Sequence, residues 1–248
     1  MKKIIFPLWP ILFFASLIPL VRMADVHRQL ILLAFSVGSA ASVLMSYVLY
    51  GKRDFSMGFF GFLLSISMAS ASILVVYRIT RGEFFSLDLS LRHIFSIIAV
   101  ALMASIAEEF IFRGAILGLL LKYFKNAPVA ILLAVQAILF SISHKNNSYT
   151  FIFLTFSFGI FFGWTAYRTR SLWFSIGFHF GWDLIIVFAT GFHSLNFGHI
   201  KGFVIFNAKF PNVDNLVFLL ALGWSAIVFK KCFGNFQSRS HGDSVAEV

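Results

Sequence analysis

Eight apolar stretches, most close to 20 residues long, take up nearly the whole chain. They fall at 4–20, 29–50, 55–77, 94–121, 129–144, 149–166, 172–190 and 214–229. A helix of about 20 residues rises about 30 Å, the thickness of the hydrocarbon core of a bilayer. Inside lipid every backbone N–H and C=O must be satisfied within the protein, which makes such runs helical. The spacing therefore predicts an all-α fold: a polytopic membrane protein, a bundle of about eight transmembrane helices. Short polar connectors such as GKRD, KYFKNAP and YRTRS join the stretches. Composition agrees, since only 12% of residues are charged, against about 25% in soluble domains. The 34 phenylalanines read as lipid-facing and packing bulk.

The net charge of +10 does not point to nucleic acid. Lys and Arg occur in ones and twos between apolar runs, as in loops held against anionic lipid, with no basic stripe on a polar background. Across eight spans, eleven basic residues fall on the N-terminal side and eight on the other, with Arg113 inside. That bias places both termini in the cytoplasm of a multi-pass protein of the inner or plasma membrane. The N-terminal MKKIIFPLWPILFF begins like a signal peptide. It lacks a small-x-small cleavage site before Arg22, so it reads as a retained first helix. The single cysteine, Cys232, allows neither an internal disulfide nor a cysteine metal site.

Residues 1–248 read as one transmembrane domain without internal repeats, ending in a polar tail over 232–248. The fourth stretch is long. Followed from Ile94 to Phe124 it would span about 46 Å as a straight α-helix, so it tilts strongly or bends near Gly114. The segment 191–211 either gates access or lies along the membrane interface.

Ionisable residues inside spans are few: Glu108, Glu109, Arg113, His144, His179 and Asp183. Each charge costs about 2.5–3.5 kcal/mol at the bilayer centre, so such residues face a bundle interior or wet cavity and mark function. Glu109 and Arg113 stand at i and i+4 with the acid first, the favourable order for a pair on one face. Glu108 is turned about 100° away from Glu109. His179 and Asp183 are also i and i+4, an arrangement in which a carboxylate orients an imidazole. Phe140, one turn before His144, can wall that ring. A glutamate in a low-dielectric cavity suits general acid–base work, and two histidines can hold a water or meet an oxyanion. Ser141 and Ser143 have no spacing that suggests a nucleophile with its base. Glu, His and His would also serve zinc, although the HExxH signature is absent.

Glu-Glu-x-x-x-Arg at 108–113, Phe-x-x-x-His at 140–144 and His-x-x-x-Asp at 179–183 resemble the three ordered motifs of the CPBP family. These are the CAAX-protease and bacteriocin-processing intramembrane proteases. The resemblance covers about 90–190 and implies an eight-helix intramembrane endopeptidase of the glutamic type, with no cofactor. It implies that Glu108 activates the attacking water, that Glu109 and Arg113 brace the motif, and that His144, His179 and Asp183 serve the oxyanion and the water. Asp183 stands where the prenyl-protein branch prefers Asn. A donor role for it conflicts with an ionised carboxylate, which only accepts. The implied partner is a membrane-associated peptide or protein, lipidated or not, within the bilayer. A non-catalytic immunity-like binding protein, a zinc-dependent membrane protease and a proton-coupled carrier are the alternative classes.

Overall fold

A computed structural model describes residues 52–81, 83–84, 91–144, 148–194, 198–201, 204–205 and 212–233. The first two predicted spans, 4–20 and 29–50, and the tail beyond Phe233 lie outside the described residues, as do both termini on which the orientation rests. The other six predicted spans are helices. They are α1 (Lys52–Thr80), α2 (Leu91–Glu108), a π-helical stretch (Glu109–Leu117) continuing into α3 (Gly118–Tyr123), α4 (Val129–Ser143), α5 (Tyr149–Thr169), α6 (Trp173–Thr190) and α7 (Val213–Phe233). Among the described residues, five helical runs are long and apolar enough to cross a membrane, and Val129–Ser143 is a shorter apolar helix. The chain is a multi-pass membrane protein. A bundle of eight is therefore an expectation of which the described residues supply six.

The fourth stretch does not break at Gly114. It runs helically from Leu91 to Tyr123, with i→i+5 bonding over Glu109–Leu117. Short π-helical segments are rare and recur at functional sites. Here the segment begins on the second glutamate of the pair.

The segment 191–211 contains backbone pairing that an all-helical reading does not anticipate. β2 (Gly191–Ser194) pairs antiparallel with β3 (Gly198–Lys201), while β4 (Val204–Ile205) pairs with β1 (Glu83–Phe84). These strands of two to four residues sit in connectors.

The core is aromatic. Phe140, Phe158, Phe162, Phe174, Phe178, Trp182 and Phe229 form one buried cluster, with edge-to-face pairs such as Phe161–Phe178 at 5.1 Å between centroids. Other rings, among them Phe59, Phe95 and Phe153, are exposed on the outer surface. The phenylalanines thus fill both roles that the composition suggests.

α6 is pressed into α1 by glycine. A Cβ on Gly177 would collide with the backbone carbonyl of Gly58, and one on Gly61 would meet the carbonyl of Phe174. Small residues let membrane helices approach this closely. His179 and Asp183 lie on this same helix, so the seam sets where they stand. Gly177→Ala is expected to lower the melting temperature in detergent by the equivalent of about 1–3 kcal/mol, the usual cost of overpacking. Gly223→Ala is the control, because a Cβ there meets nothing within 4 Å. Equal melting temperatures for the two variants would contradict the seam.

Candidate active site

The six ionisable residues converge from three helical runs. α2 and its π-helical continuation bring Glu108, Glu109 and Arg113, the C-terminal end of α4 brings His144, and α6 brings His179 and Asp183. Glu109, Arg113 and His179 are buried. Glu108, His144 and Asp183 keep 30%, 24% and 28% of their side-chain exposure, which makes them the open side of the site.

His179 is the hub. Its Nδ1 donates to Glu109 Oε1 at 3.0 Å. Its Nε2 faces Asp183 Oδ2 at 3.3 Å and Glu108 Oε2 at 3.7 Å. Nε2 is thus set between two carboxyl groups. The Phe162 ring stacks on the imidazole at 4.9 Å with 23° between planes. The ring is thus held on both nitrogens and one face.

Glu109 pairs with Arg113 as the helical spacing predicts, Oε1 to Nη1 at 3.0 Å with both side chains fully buried. The same Oε1 also takes the His179 proton, so this one oxygen ties α6 to the arginine. The carboxylate that fixes the His179 tautomer is therefore Glu109 from another helix, whereas Asp183 faces the opposite nitrogen. Glu108 does face away from Arg113, as its rotation implies. It nevertheless reaches the same imidazole from the other side.

His144 is oriented by its own helix. Nδ1 donates to the carbonyl of Phe140 at 2.8 Å, leaving Nε2 turned to Glu108 Oε2 at 4.0 Å. Phe140 walls the ring at 4.7 Å, edge to face. Ser143 Oγ donates to the same carbonyl at 2.6 Å, and Ser141 Oγ bonds the Ile152 carbonyl and Thr155. Neither serine is set against a base. Glu108 Oε2 has no hydrogen-bond partner among the described residues. Its distances to the two imidazole Nε2 atoms exceed a hydrogen bond and suit a bridging water. Among the described residues no group of three His, Cys, Asp or Glu is arranged to hold a metal ion.

Residues 90–185 match the family model described as type II CAAX prenyl endopeptidase Rce1-like. Over that segment, less than half of the chain, the sequence is similar to the Rce1-like family. The match runs from the start of α2 into α6 and takes in all six converging residues, in accord with the resemblance carried by the three motifs. No curated protein and no solved structure matches the chain. Helices α1 and α7 fall outside the Rce1-like segment, yet α1 holds α6 through the glycine seam.

Two neighbours escape a reading of the sequence. Phe162 is one ring among 34 and carries no signal of its own. Gln136 does carry one, an amide in the middle of an apolar stretch, and it is fully buried.

Asp183 Oδ2 faces His179 Nε2 at 3.3 Å, a place that an amide oxygen can also take. Asp183→Asn is expected to keep cleavage within about tenfold of wild type, and Asp183→Leu to lose about 10²-fold. Equal loss in both variants would show that the charge itself is needed.

Proposed function

We propose that this protein is an intramembrane endopeptidase in which Glu108 activates the attacking water. The supporting observation is the unpartnered Oε2 of Glu108, facing the Nε2 atoms of His144 and His179 across gaps suited to a single water. Glu108 takes one proton of that water as its oxygen attacks the scissile carbonyl carbon. His144, with its Nδ1 proton committed to Phe140, presents Nε2 as an acceptor that holds the second hydrogen of the water. A proton on Nε2 of His179, flanked by Asp183, meets the developing oxyanion. Collapse of the tetrahedral intermediate breaks the C–N bond, and Glu108 returns its proton to the leaving amine. Glu109 and Arg113 act behind this layer by fixing His179. The substrate is a membrane-associated peptide or protein whose scissile bond reaches the half-exposed side of the site, and a lipid anchor on it would bring it to that depth.

The test is cleavage by purified full-length protein in nanodiscs, on a fluorogenic prenylated CAAX peptide and on unlipidated and acylated counterparts. Cleavage that resists chelators and places one ¹⁸O from H₂¹⁸O in the new carboxyl group is expected. Loss of cleavage with chelator, restored by zinc, would move the water from Glu108 to a metal. Absence of cleavage on every peptide by a folded sample would overturn the protease reading.

A further inference from the structure

Behind the site lies a second group of polar atoms that the proposed hydrolysis does not use. Arg113 is 1% exposed. Its Cζ stands 4.2 Å from the centroid of Phe140 and 5.0 Å from that of Phe162, so aromatic faces bracket the guanidinium. Nη1 is close to Glu109, yet Nε, Nη1 and Nη2 all lack an aligned hydrogen bond among the described residues, and so does Glu109 Oε2. Gln136 is 0% exposed, and both its Oε1 and its Nε2 are without partners among the described residues. It sits one helical turn before Phe140. Its Oε1 lies over Gly163, where a Cβ would stand 2.5 Å from that oxygen, and Gly163 follows Phe162 in the chain. Gln136 thus lies on the same helix as Phe140, one turn away, and against the helix that carries Phe162.

Leaving a buried polar atom unpaired costs about 1–3 kcal/mol, more for a charged group. Leaving out Nη1, which has its ion pair with Glu109, five such atoms on facing helices, in a protein of marginal stability, require partners. Buried waters are the usual ones, each making about three hydrogen bonds to polar groups. Arg113 and Gln136 offer donors, and Glu109 and Gln136 offer acceptors.

We propose that Glu109, Arg113 and Gln136 line a buried hydrated site. Gln136 is a positioning residue: through internal water it holds the Arg113 guanidinium, and hence Glu109, against His179. The hydrated site stands on burial and unpaired atoms alone, whereas the positioning role rests on the protease reading above.

The two are separated by two readouts on full-length protein in nanodiscs. Hydroxyl-radical footprinting marks buried side chains that touch bound water. Phe162 and Leu133 are expected to be labelled in the wild type despite their burial, and to lose the label in Gln136→Met, an apolar near-isostere. Gln136→Glu, which keeps polar atoms at that position, is expected to retain it. In the cleavage assay, Gln136→Met is expected to lower kcat about tenfold with KM little changed. Its melting temperature should fall modestly, because the lost water leaves polar atoms of Arg113 and Glu109 unpaired. Unlabelled Phe162 and Leu133 in the wild type, or labelling unaffected by Gln136→Met, would overturn the hydrated site. Loss of label with unchanged kcat would overturn the positioning role. Labelling that behaves as expected in a chain that cleaves no peptide would leave the hydrated site standing and remove the protease reading with the positioning role.

Discussion

Glu108→Gln is expected to reduce peptide cleavage by about 10²–10⁴-fold, the range that a general base contributes, while leaving the melting temperature unchanged. The geometry separates the two effects. Glu108 Oε2 has no hydrogen-bond partner among the described residues, and its side chain is 30% exposed. An amide of the same shape therefore removes proton-accepting capacity without undoing a structural bond. Single-turnover cleavage beside thermal unfolding in the same nanodiscs measures both. A variant that keeps more than a tenth of the wild-type rate would remove Glu108 from the role of base, and one that fails to fold would assign it a structural role.

Arg113→Ala is expected to act the other way, losing stability and activity together. The arginine is packed against Phe112, Phe140 and Phe162, and its pairing with Glu109 is fully buried. Removing one partner of such a pair strands the other charge, at a cost of about 3–5 kcal/mol. Glu109 also holds Nδ1 of His179, so its displacement frees the imidazole. Arg113→Lys keeps the charge but loses the planar guanidinium that lies among the rings, and it should fall between the two. Unfolding in detergent and cleavage rate check the ordering. An Arg113→Ala protein with a wild-type melting temperature would mean that the pair carries no structural burden.

How much of this was legible in the sequence depends on the distance over which each signal acts. The Glu109–Arg113 pair is local, one helical turn, and its spacing specifies it. The grip of Glu108 and Glu109 on one ring is not local. A 100° separation on a helix reads as divergence, yet an imidazole has two nitrogens pointing different ways, and two diverging carboxylates can reach both. That information lies in the packing of α2 against α6, which no helical wheel contains. Apolar length located α1 and the five helical runs after it, because lipid imposes a length on every span. The β-pairings of 191–194 with 198–201 and of 83–84 with 204–205 are too short to show an alternating pattern. Gln136 stands as an amide in an apolar run, but an uncharged amide costs less in a membrane than a charge and so signals a site less strongly.

The π-helical stretch limits how this chain can be edited. An i→i+5 ring encloses one residue more than an i→i+4 ring, so Glu109–Leu117 holds an extra residue in a rod that otherwise repeats every 3.6. Deleting any single residue there would let the ladder close as an ordinary α-helix. The two ends would then be turned by about 100° relative to one another. Either the carboxylates would swing off His179, or Leu117 would leave its place against Leu132 and Leu133. This stretch of helix therefore does not accept a change of length, whereas surface connectors tolerate one readily.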